Sequence, residues 1–254
     1  MRSRLLGLLV FASASLLVAN DTSVRTLQSG SADGATPLHD RGIRGEGEII
    51  AVLDTGLDWD SCYFAEPGGA APPVNTRLSE TSVDPARRKV IAYNFLYSCA
   101  EYPGAFGCDD PSQRSAWDNQ GHGTFAAGAA AGDSGAPLLH DHGDAIAPGA
   151  KLVIQDAGYI GGDACTQRPG LQCPTRDLRA VYGQAYTQGA RIFSNSWGDR
   201  QGVPPGAVPP TANYSVSSRD VDDFVHRNPD AVVVFNTGNV SVAASSTVSA
   251  PGAA

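Results

Sequence analysis

Basic residues are scarce in this chain: 18 Lys and Arg stand against 26 Asp and Glu, a formal charge of −8. That balance argues against a nucleic-acid-binding surface or a docking face for anionic membranes, since both need a basic footprint. Also lacking is an apolar run of the ~20 residues that a bilayer core requires. The longest, residues 5–19, is shorter, follows Arg2 and Arg4 and turns polar at Asn20 and Asp21. This is the layout of a signal peptide over residues 1–19 rather than of an anchor, and it predicts a secreted, extracellular protein with no stable membrane insertion after signal removal. No Cys-x-x-Cys pair occurs among the five cysteines, so a structural zinc site is not expected. Nothing suggests disorder or a fibre: 42% of the 254 residues are hydrophobic, enough for one large core.

Export places the cysteines in an oxidising compartment. CAEYPGAFGC (Cys99, Cys108) and CTQRPGLQC (Cys165, Cys173) each read as a loop closed by its own disulfide around a Pro-Gly turn, which leaves Cys62 over.

Residues 20–40 are rich in Ser, Gly, Asp and Thr and read as a linker. Beyond them, short apolar runs recur at 48–53 (EIIAVL), 151–154 (KLVI), 191–193 (RIF) and 231–235 (AVVVF). Such runs suit the buried strands of a parallel sheet. Helical stretches lie between them. One is capped at Thr175 and runs through Gln188 to a stop at Gly189; another is capped at Ser217 or Ser218, with Asp220, Asp222 and Asp223 in its first turn and Pro229 at its end. The alternation predicts an α/β domain over residues 41–254 with a parallel, doubly wound sheet. Residues 62–118 are rich in Pro, Gly and charge, with one strand at 89–95 (KVIAYNF), and read as containing an insertion.

Chemistry-bearing residues gather at the carboxyl ends of these strands, where open α/β sheets bind ligands. Asp54 ends the first run within Asp-Thr-Gly-Leu; Asn195-Ser196-Trp197-Gly198 follows RIF; Asn236-Thr237-Gly238-Asn239 follows AVVVF. Asp54 alone admits a plainer role as a turn cap. It also admits two catalytic ones, half of a paired-carboxylate site or the acid behind a histidine. The addition that decides between them is Gly121-His122-Gly123-Thr124 before FAAGAAAG, which predicts His122 at the start of a helix whose small residues allow close packing.

In that order, Asp-Thr-Gly-Leu, Gly-His-Gly-Thr, Asn-Ser-Trp-Gly and Thr-Gly-Asn, the chain resembles the subtilisin-like serine proteases over roughly residues 41–254. The resemblance implies a serine endopeptidase acting on polypeptides, in which Asp54 is the orienting acid, His122 the general base and Asn239 the side-chain donor of the oxyanion hole. It implies that Ser196, Trp197 and Gly198 form one wall of the substrate cleft. No cofactor is implied for catalysis, and the expected state is a monomer. Structural calcium, common in the family, stays unassigned: the clusters at Asp58 and Asp60, at Asp109 and Asp110, and between Asp141 and Asp144 lack EF-hand spacing and read as a solvated acidic face.

Two further motifs compete. Asp133-Ser134-Gly135 could be the second loop of an aspartic protease, and GDSGAP (132–137) imitates the serine loop of chymotrypsin-like enzymes. The spacing is too short for a lobe of the first, and the order fails for the second, so a surface turn ending the His122 helix is expected. The sequons at Asn213 and Asn239 are left open, save that a role in the cleft would bury Asn239. Finally, the Gly-Thr-Ser that carries the family's nucleophile is absent. The expectation is that the chain is the N-terminal part of a catalytic domain, its sheet incomplete at the C-terminus and inactive alone. The alternative is a noncatalytic peptide-binding pseudoprotease.

Overall fold

The computed structural model describes residues 20–103, 108–113, 117–118, 121–135, 143–158, 177–198 and 214–236. Six strands form one sheet: β1 (Ile49–Asp54), β2 (Val74–Asn75), β3 (Val90–Phe95), β4 (Lys151–Asp156), β5 (Ile192–Asn195) and β6 (Val232–Phe235). Their order is β2-β3-β4-β1-β5-β6, and every pairing is parallel. Between strands run α2 (His122–Ala131), α3 (Leu178–Thr187) and α4 (Val216–Arg227), and α1 (Asn20–Ser29) precedes the sheet.

The period of two along β1 explains why helices lie on both faces. Ile50 and Val52 point into one core with Leu152, Ile154 and the Ala127 and Ala131 face of α2. Ala51 and Leu53 point into the other, with Val153, Val181 and Tyr182 of α3 and Val221 and Phe224 of α4. An apolar run without polar alternation is what burial on both faces demands. The fold is therefore α/β with a parallel, doubly wound sheet, which agrees with the subtilisin-like type that the resemblance implies.

Three local expectations are corrected. Residues 20–40 hold α1 and a 3-10 turn at His39–Arg41. Val24 is buried, and Asn20 Nδ2 donates to the carbonyls of Gly128 (3.2 Å) and Gly143 (3.1 Å), so this stretch packs on the domain instead of linking to it. The strand expected at 89–95 within residues 62–118 is present as β3, an interior strand buried at every position and paired to β4. Helix α4 is capped by Ser215, whose hydroxyl accepts from Ser218 N, so Asp220, Asp222 and Asp223 fall beyond its first turn. Among adjacent serines the choice of cap is a tertiary matter, and it moves the start by two or three residues. Helix α3 starts at Asp177, whose carboxylate accepts from Arg179 N (3.0 Å); Thr175 lies outside the described residues. Gly189, with φ of 104°, does stop that helix.

The Cys99–Cys108 bridge is present, with Cα atoms 5.0 Å apart. Cys62 is exposed and unbridged, while Cys165 and Cys173 fall outside the described residues, as does the signal-like stretch. Among the described residues no helix is long and apolar enough to cross a membrane.

Candidate active site

The strand register builds the site's floor. Asp54 of β1 pairs with Asp156 of β4, which in turn pairs with Phe95 of β3, and Leu53 pairs with Asn195 of β5. Asp54, Asp156 and the segment 196–198 therefore leave the sheet along one carboxyl rim.

Helix α2 meets this rim backbone to backbone. A Cβ on Gly123 would stand 2.1 Å from the Gly56 carbonyl oxygen, and one on Gly56, whose φ is 105°, would stand 1.8 Å from the Trp117 carbonyl oxygen. Only glycine permits such an approach. Its result is that His122, the first residue of α2, hangs over the end of β1. Its Nδ1 lies 2.6 Å from Asp54 Oδ1, which also accepts from Thr55 N at 2.7 Å. A carboxylate only accepts, so Nδ1 carries the hydrogen and Nε2 keeps its lone pair. Asp54 is 2% exposed at the side chain against 50% for His122: the acid is enclosed and the base faces outward. Burial raises the Asp54 pKa, and the hydrogen bonds from His122 and Thr55 pull it back.

Beneath the pair lies a buried polar layer that the sequence did not announce. The Tyr93 hydroxyl bonds to Asp156 Oδ2 (2.8 Å) and to the Trp117 carbonyl, and accepts from Leu57 N (3.0 Å). Burial raises the Asp156 carboxyl well above its usual range, with the charge of Asp109 adding to it. Burial likewise pushes Asp109 up to about 8. Asp118 joins the Asp54 loop to α2. Its only sequence signal is position, four residues ahead of His122.

Ser196, Trp197 and Gly198 are all half-buried at the end of β5, and the Trp197 indole meets the Phe235 ring edge-on at 5.4 Å. Asn236 extends the rim, donating its N–H to Asn195 O at 3.2 Å. Asn239 and Asn213 lie outside the described residues. The competing motif is elsewhere: Asp133 and Ser134 follow the C-terminal end of α2, roughly 15 Å along the helix from His122. There Asp133 pairs with Arg88 at 3.1 Å and turns back to accept from Gly135 N at 2.9 Å. That is the surface turn expected, and it removes the paired-carboxylate reading. Among the described residues no group of three or more His, Cys, Asp or Glu could hold a metal ion.

Residues 45–254 match the model of the subtilase family. The chain belongs to this family. Relatives include the Serine protease/ABC transporter B family protein tagD of Dictyostelium discoideum, 29% identical over 203 residues that cover 78% of this chain and 9% of that protein. Another is Subtilisin-like protease SBT2.3 of Arabidopsis thaliana, 30% identical over 183 residues, 66% of this chain and 20% of that subtilase. The chain thus spans a small part of the curated relatives it matches. Among solved structures, the serine protease MycP1 of the type VII (ESX-1) secretion system is 19% identical, with a TM-score of 0.40, over 81% of this chain and 46% of that one.

Proposed function

We propose that this subtilase chain supplies the acid–base half of a secreted serine endopeptidase, with the nucleophilic serine carried on a segment outside these 254 residues. The observation that supports it most is the 2.6 Å hydrogen bond between buried Asp54 and half-exposed His122. Asp54 holds the imidazole in the tautomer whose Nε2 can take a proton, and stabilises the imidazolium once the proton arrives. The serine hydroxyl, a weak nucleophile by itself, attacks the peptide carbonyl as its proton passes to Nε2, and the imidazolium then protonates the leaving amine. Asn239 donates to the oxyanion that forms. Ser196, Trp197 and Gly198 line the cleft, where an extended polypeptide pairs as an added strand. These steps call on no metal or organic cofactor.

Expressing the chain joined to the polypeptide encoded downstream of it should give hydrolysis of denatured protein that a serine-directed sulfonyl fluoride blocks. His122→Ala should remove turnover by roughly 10⁶-fold and Asp54→Asn by roughly 10⁴-fold. The absence of Gly-Thr-Ser favours a second reading, a noncatalytic protein that clasps peptides in the same cleft. Peptide affinity without cleavage in that longer protein would select it.

A further inference from the structure

The N-cap of α2, Gly121, has φ of 75° and no side chain to cap the helix, yet the four first N–H groups of any helix need acceptors. Asp118 supplies two of these acceptors from outside the helix. Its Oδ1 accepts from Gly121 N at 2.8 Å, and its Oδ2 accepts from Thr124 N at 2.9 Å and from the Thr124 hydroxyl at 2.6 Å. The same carboxylate reaches the other half of the site, where Oδ1 accepts from the Thr55 hydroxyl at 3.2 Å.

Two return bonds close the circuit. Thr55 Oγ1 accepts from Gly123 N at 2.9 Å, and Thr124 Oγ1 accepts from Asp58 N at 2.8 Å. Both return bonds join the loop after β1 to the first turn of α2, and His122 lies between the two glycine positions that are tied down. Carboxylate bonds to backbone N–H groups are about twice as strong as neutral ones. Asp118 thus fixes the distance between the element that carries Asp54 and the element that carries His122.

We propose that Asp118 is a positioning residue for His122: by clamping Thr55 and Thr124 together it holds the imidazole in hydrogen-bonding register with Asp54. Its bonds to Gly121, Thr124 and Thr55 act on His122 through the segments on either side of it. The inference builds on the Asp54–His122 pair of the proposed function.

The test uses proton and nitrogen NMR on the 254-residue chain, which needs no nucleophile. Wild type should show a downfield His122 Nδ1–H resonance with slow solvent exchange. Asp118→Ala should raise that exchange rate roughly tenfold, the scale on which loss of a helix cap opens a site locally. Asp118→Asn, which keeps the volume and one acceptor oxygen, should fall between the two and guards against an Asp118→Ala chain that does not fold. Asp177→Ala removes the cap of α3 instead and should leave the resonance unchanged. A wild-type exchange rate in both Asp118 variants overturns this inference alone. So does an equal acceleration in Asp177→Ala, since general loosening would then explain it. A wild-type chain with no protected Nδ1–H overturns the Asp54–His122 pair, and the protease reading with it.

Discussion

Four aspartates around the carboxyl rim do different work because their surroundings differ. Asp54 has a histidine and an N–H to stabilise its charge; Asp156 meets the Tyr93 phenol and the Gly158 N–H, and Asp109 leaves Oδ2 without a partner among the described residues. All three titrate above their unfolded value in the fold. For a carboxyl raised in this way, the stability it contributes is full below about pH 4 and is lost as pH rises through the folded value, near 8 for Asp109. The urea midpoint should therefore drop between about pH 5 and about pH 8, and Asp109→Asn should flatten the slope. Lys89, buried and lowered to about 8, acts in the opposite sense but only above that value, so it does not mask the effect. Asp54 was legible in the sequence because it sits in a motif at the end of an apolar run. Asp118, Asp109 and Asp156 were not, since their roles exist only once separate segments are brought together.

At the scale of elements, strands with unbroken apolar runs could be read directly, and β1, β4, β5 and β6 fall within a residue or two of where the runs place them. Helix α1 could not. Its sequence, NDTSVRTLQS, offers Val24 as its one fully buried apolar side chain, too narrow a stripe to distinguish from a linker. What orders it is the Asn20 amide on two carbonyls of the His122 side of the molecule. Asn20→Ala should then cost about 1–3 kcal/mol in chemical denaturation, as buried acceptors lose their donor. Helix α2 makes a sharper case. Gly123→Ala forces a methyl against the Gly56 carbonyl, and should cost about 1–3 kcal/mol or more. Circular dichroism melts would register that loss, and the His122 Nδ1–H signal should vanish with it.

For the molecule as a whole, the sheet is buried on both faces through β3, β4 and β1, then becomes uncovered at β6, where Val232 and Val234 are 57% and 52% exposed. Valines two apart share one face, so they form a contiguous apolar strip on a terminal strand of the described sheet. Val232→Lys should reduce self-association of the isolated chain, visible as lower light scattering at equal concentration. Fold class and chain order of the motifs were within reach of the sequence because strand, helix and glycine signals agree with one another. The closeness of the site was not, for it depends on how near two backbones come.

That nearness restricts who can redesign the molecule and how. Gly56 and Gly123 press together without room for even one methyl, so the distance between acid and base is set by main chain, and any side chain grafted at either spot breaks the contact instead of adjusting it. Tuning must come instead from the ring of threonines and aspartates around them, at Thr55, Asp118 and Thr124. Variation there can adjust the spacing by fractions of an ångström while the glycines act as a fixed stop.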